Sequence, residues 1–261
     1  MSSNKKEFYV GYLPTPPGLV RFYRLLVPVI IVAAGAFGFW LAGAQQAVGE
    51  GSWAYGIESE VTGLMQAEPY PHVITADGDA VLLVREGKLG VQEWAKAVDN
   101  QTVAVSGYAI DRGSWRMLEL RTEADITRID FDQSIDAPSV EDFGSHTLSG
   151  EIVDSKCFLG VMKPGEGRVH RACAELCIRG GMPPMLMATD TSGITAGYVL
   201  LAPDGGSAID LVAGKVAVPV TLEGQVTKRG SLRYLTLADD TIDVLASVRS
   251  VIAADDSYCA L

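Results

Sequence analysis

The sequence predicts a mainly β protein in which one N-terminal transmembrane helix is followed by two small β modules in tandem. Three observations predict this. A single uncharged apolar run lies near the N-terminus, strand-length apolar runs broken by Gly, Pro and Asp fill the remainder, and one stretch occurs twice.

The apolar run is Leu25–Ala44, LLVPVIIVAAGAFGFWLAGA, 20 residues without a charge. At 1.5 Å per residue it spans a hydrocarbon core of about 30 Å. Pro28 falls in its first turn, where a missing N–H is tolerated. Lys5, Lys6, Arg21 and Arg24 all precede the run, and no Lys or Arg follows it until Arg85. The positive-inside rule then makes residues 1–24 a cytoplasmic segment and places the chain after residue 44 outside. The expected location is a bacterial inner membrane, with the C-terminal modules in the periplasm. Ala42-Gly43-Ala44 also fits a signal-peptidase site, but the run exceeds the usual 7–15-residue signal core, which favours a retained anchor. Ala34, Gly38 and Ala42 recur at i+4 and form a smooth stripe where another membrane subunit's helix can approach.

The whole chain has 261 residues and a net charge of −11. Beyond the apolar run, 17 basic residues face 31 acidic ones. A surface so acidic repels phosphate backbones, so nucleic acid is excluded as a partner.

After a linker over 45–58, the repeat appears. Val103–Leu120 (VAVSGYAIDRGSWRMLEL) and Val220–Leu237 (VTLEGQVTKRGSLRYLTL) align without a gap at an offset of 117, with eight of 18 positions identical. Each copy reads as a strand, a turn at Arg-Gly-Ser and a second strand, with apolar residues alternating at period two. Upstream, Ala80–Val84 answers Tyr198–Ala202, Pro71–Thr75 answers Pro184–Ala188, and Thr62-Gly63 answers Ser149-Gly150. Val91, Trp94, Ala95 and Val98 give helical spacing before the hairpin. The order strand-strand-strand-helix-strand-strand is that of an OB-like β-barrel. Two such modules are expected, at 59–131 and 146–248, joined by a linker over 132–145 and followed by a tail over 249–261.

The repeat also exposes an insertion. Thr62 and Pro71 are nine residues apart, whereas Ser149 and Pro184 are 35 apart. The extra segment, 154–183, is expected to be partly helical and contains Cys157, His170, Cys173 and Cys177. With Val169–Ile178 helical, His170, Cys173 and Cys177 share one face, and Cys157 returns across the KPGEG loop. Three thiolates and an imidazole suit zinc, copper or an iron–sulfur centre. Met182 and Met185 stand nearby as additional soft ligands, which would favour copper. The alternative reading is a staple, Cys157 disulfide-bonded to Cys173 or Cys177, with Cys259 taking up the remaining thiol.

The segment CAELC followed by Met182 resembles the CuA loop of cytochrome oxidase subunit II over about a dozen residues. That family places a histidine four residues after its second cysteine. Here that position is Gly181, and His170 lies upstream instead.

His72 and His146 stand alone and read as structural residues. No catalytic constellation is visible, so an enzymatic role is not predicted. The expected function is that of a membrane-anchored, non-catalytic accessory subunit of a membrane redox or electron-transfer complex, its cysteine segment binding metal or exchanging disulfide. The alternative is a scaffold or interaction module whose insertion is a disulfide-stapled docking loop.

Overall fold

Pro17 opens the N-terminal helix at a position where its missing N–H costs no hydrogen bond. The computed structural model describes residues 15–44, 49–130, 135, 138–189, 195–239 and 242–244. Helix α1 runs over Pro17–Ala44, 28 residues. It starts well before the expected Leu25, so Pro28 sits inside the helix rather than in its first turn and removes one backbone bond there. The helix is long and apolar enough to cross a membrane, and it suits either a membrane anchor or a signal sequence. Residues Met1–Ala47 form one unit and Val48–Leu261 another.

The second unit contains two six-stranded mixed sheets. The first is built from β1 (Ser52–Gln66), β2 (His72–Thr75), β3 (Ala80–Arg85), β4 (Thr102–Arg112), β5 (Trp115–Leu120) and β6 (Ile126–Arg128), with the short helix α2 (Gln92–Lys96) between β3 and β4. Its order is β1-β2-β3-β5-β4-β6, and β1 pairs with β4 as well. The second is built from β7 (Val140–Asp154), β8 (Pro184–Thr189), β9 (Thr195–Leu201), β10 (Pro219–Arg229), β11 (Leu232–Leu237) and β12 (Asp243–Val244). Helix α3 (Arg171–Arg179) precedes β8, and the single turn α4 (Ile209–Val212) precedes β10. The order β11-β9-β8-β7-β10-β12, with β10 also on β11, repeats that of the first sheet strand for strand. In each, only the pairing of third and fifth strands is parallel. β1 and β7 begin inside the stretches expected to be linkers. The expected tail, with Cys259, lies outside the described residues.

The duplicated hairpin holds at residue level. Arg112 pairs with Trp115 and Arg229 with Leu232, and the turn glycines Gly113 and Gly230 have φ of 61° and 58°. A side chain is strained in that region, which accounts for glycine in both copies. Gly63 pairs with Thr75 and Val103, and Gly150 with Ala188 and Val220, as the upstream alignment expects. The third strand needs a correction of one residue. Leu82 pairs with Met117 and Val199 with Tyr234, so the 117-residue offset continues through this strand, and Val81, not Ala80, answers Tyr198.

Alternation explains why β3 reads as an unbroken apolar run. Val81 and Leu83 face a core within the first sheet, while Leu82 and Val84 face a core shared by both sheets. A strand buried on both faces has no polar side to display. β9 behaves likewise, with Val199 and Leu201 in the shared core and Leu200 in the core of the second sheet.

Candidate metal centre

The insertion leaves β7 at Asp154, runs through a single π-helical turn over Cys157–Val161, and returns through a 3-10 turn at Arg168–His170 into α3. It is part of the core. Cys157, Phe158, Leu159, Cys177 and Met182 belong to the cluster shared by the two sheets, and Ala174 and Ile178 to that of the second sheet. Removing the segment would therefore strip apolar area from two cores, even though the first module has no counterpart to it.

Helix α3 begins at Arg171, so His170 stands just ahead of it while Cys173 and Cys177 lie one turn apart on it. Ligand atoms of Cys157, His170 and Cys173 all lie within 4.8 Å of one another, and so do those of Asp154, Cys157 and Cys177. Cys157 is common to both groups. All three cysteines are free, and no pair among the described residues is at disulfide-bonding distance. The expected staple from Cys157 to Cys173 or Cys177 is thus not present. A core that already buries the segment on both sides does not need one.

Asp154 organises the cluster from the end of β7. Its Oδ1 accepts the Cys157 N–H at 2.8 Å, and its Oδ2 lies 3.0 Å from His170 Nε2. A carboxylate can only accept, so in the neutral ring Nε2 carries the hydrogen and Nδ1 keeps its lone pair. Both residues are fully buried.

The sulfurs share charge unevenly. Hydrogen bonding to Cys177, then burial and the Asp154 carboxylate, push the Cys157 thiol far above its usual range. The same bond, with Lys88 and Cys173 nearby, outweighs burial and brings Cys177 down to about 7. Within this hydrogen-bonded pair Cys157 is the sulfur held protonated and Cys177 the one more readily ionised.

Lys88 carried no motif, yet it reaches the cluster from the loop between β3 and α2. Its Nζ donates to Cys173 Sγ at 2.7 Å and lies 3.7 Å from Cys177 Sγ. The bond to Cys173 raises its pKa and holds the ammonium form. Its loop is pinned to the end of α3. The Gly90 N–H donates to Gly180 O at 2.8 Å, Gln92 Nε2 donates to Gly181 O at 2.8 Å, and a Cβ on Gly180 would fall 1.7 Å from Lys88 O.

A buried ion pair ties the front of the insertion to the same half. Lys156 is bonded to Glu119 on β5 and donates to Arg85 O at 2.9 Å and Gly87 O at 2.8 Å. Arg112, in the first hairpin turn, donates to Phe158 O at 2.7 Å and stacks over the Phe158 ring at 4.0 Å.

Met182 and Met185 are wholly buried in the shared core, and the Met185 methyl group packs over Gly197. His72 is buried with Nδ1 2.8 Å from Tyr70 O, and burial lowers its pKa. His146 Nε2 lies 3.0 Å from Phe143 O on an exposed stretch. Both stand apart from the cysteine cluster's ligand groups.

Comparison with known protein families, curated proteins and solved structures finds no match.

Proposed function

We propose that this is a membrane-anchored envelope protein that holds one thiophilic metal ion between Cys157, His170, Cys173 and Cys177. The observation that carries this reading is the convergence of Cys157, His170 and Cys173 from separate segments to within 4.8 Å, with Cys177 in a second such group beside Cys157 and Asp154. Three sulfurs and one imidazole make a four-donor set suited to zinc, copper(I) or an iron–sulfur centre. Asp154 supports it in the manner of carboxylates that hydrogen-bond metal-bound histidines, fixing the ring and raising its basicity. Lys88 supplies a positive charge that offsets an anionic thiolate set. Met182 and Met185 serve as packing. The closed pairing order of each sheet supports the OB-like barrel reading of both modules.

The wider role follows from α1 and this cluster. A single apolar helix with a small-residue stripe suits docking beside other membrane subunits, with the centre as a fixed accessory site of a redox complex. A second reading is favoured by the contacts that Lys156, Phe158 and Gly180 make with the first half. In it, the insertion is a clasp between modules and the metal its fastener.

The test is metal analysis and visible absorption of the full chain purified in detergent. One equivalent of bound metal is expected, lost in Cys157→Ser and Cys173→Ser. Zinc found by metal analysis supports the clasp, and copper found by metal analysis or the visible absorption of an iron–sulfur centre supports the redox role. A chain that takes up no zinc, copper or iron under reducing conditions overturns the metal reading.

A further inference from the structure

We propose that Lys88 and Cys173 form a covalent bridge through one oxygen atom, Nζ–O–Sγ, when the metal-free protein meets a peroxide. Three observations carry it. The Nζ–Sγ separation is 2.7 Å. An N–H···O bond already averages about 2.9–3.0 Å, and sulfur is larger than oxygen, so this pair is closer than an ordinary hydrogen bond would hold it. Cys173 is only half buried, whereas Cys157 and Cys177 are enclosed, so a small oxidant meets Cys173 first. Lys88 is also held in place. Its backbone packs against Gly180, and Gly90 and Gln92 bond the same stretch of the insertion. The amine therefore stays beside the sulfur while oxidation proceeds.

The chemistry balances with hydrogen peroxide as oxidant. The Cys173 thiol and the Lys88 amine together give four electrons to two peroxide molecules. One S–H and one N–H bond break, one S–O and one N–O bond form, and three waters leave. Cys173 is oxidised first, to the sulfenic acid, and then no longer holds the Lys88 ammonium. The Nζ proton is lost to solvent, and the second peroxide oxidises the neutral amine to the hydroxylamine, which condenses with the sulfenic acid with loss of the third water. A dithiol reductant opens the bridge by attacking sulfur, which frees Cys173 as the thiol and leaves Lys88 as the hydroxylamine. The bridge needs no metal and stands apart from the metal reading. Where that reading also holds, the bridge removes one of four donors and closes the centre under oxidative conditions.

The experiment treats the chelator-stripped full chain in detergent with peroxide and maps its peptides by mass spectrometry. The expected product is one cross-linked peptide joining Lys88 to Cys173, about 14 Da heavier than its two parts for one oxygen gained and two hydrogens lost. Dithiothreitol should release it, and Lys88→Arg and Cys173→Ser should lack it. A Cys157–Cys177 disulfide formed alongside does not affect this readout. An unmodified Lys88 peptide, with Cys173 recovered as a disulfide or a sulfinate, overturns the proposal. Zinc uptake is measured separately on the untreated chain, so failure of the bridge and failure of the metal reading give different results.

Discussion

Asp154 holds His170 by one carboxylate oxygen and the Cys157 backbone by the other, at 3.0 and 2.8 Å. One side chain at the end of β7 thus sets two of the proposed donors. Asp154→Asn keeps the shape but presents an N–H₂ group where an acceptor is needed. Zinc affinity should fall about 10–100-fold, as for other residues that orient metal-bound histidines. Competition against a chromophoric chelator measures this, and an unchanged affinity would remove Asp154 from the site.

Glu119→Gln should leave Lys156 as a buried charge without its anion. Breaking such a pair costs about 3–5 kcal/mol, read as a lower urea midpoint at constant slope. Replacing both residues, Lys156→Met with Glu119→Leu, should recover only part of that. The Trp53 indole N–H and the Arg85 and Gly87 carbonyls would still lose their partners. Full recovery would show that the pair's other contacts are dispensable.

Gly180→Ala places a methyl group where Lys88 O stands. The loop must move, at a cost of about 1–3 kcal/mol typical of overpacking. Lys88 should leave Cys173, and alkylation of Cys173 should change in rate while Gly35→Ala, with open space at its Cβ position and no positive φ, leaves that rate alone.

In the metal-free protein, the enclosed Cys177 should ionise with a midpoint near pH 7, followed by its ultraviolet thiolate absorbance. Folding favours the thiolate there, so its stabilisation is present above the ordinary thiol value of about 8.5 and is lost as pH falls through 7. Cys157 has the opposite sign: its raised pKa makes rising pH above that ordinary value costly to the folded state. Lys88→Met should move the Cys177 midpoint upward. A midpoint unmoved by that change would mean that Lys88 does not act on the pair.

An alkaline phosphatase reporter, active only outside the cytoplasm, fused after Leu261 should be active, and the fusion should stay with the membrane fraction after a carbonate wash. A soluble active fusion would instead identify α1 as a cleaved signal sequence.

The hairpin repeat was legible because two local signals coincide in it, period-two alternation and a turn whose glycine needs positive φ. The third strand slipped by one residue because AVLLV and YVLLA are apolar throughout, and a strand buried on both faces gives no polar side to fix its phase. His170, Cys173, Cys177 and Cys157 were found by residue type and spacing. Asp154 and Lys88 were not, for different reasons. Asp154 ends a strand in a position that reads as an ordinary turn acid. Lys88 lies far from the cysteines in sequence, and only the tertiary approach at Gly180 brings it to them. The one available hint for the buried pair was Glu119, an acid within the apolar strand RMLEL.

The platform that presents Lys88 is made long before the cysteines arrive. A chain emerging N-terminus first completes β1 to β5 by residue 120, but β11, which pairs with β9 and β10, ends at Leu237, about 60 residues after Cys177. At synthesis rates of roughly 5–20 residues per second, the thiols wait several seconds outside a finished core. During that interval they are open to wrong partners. Under the proposed metal reading, loading of the ion would come after the last strands close the core around the thiols.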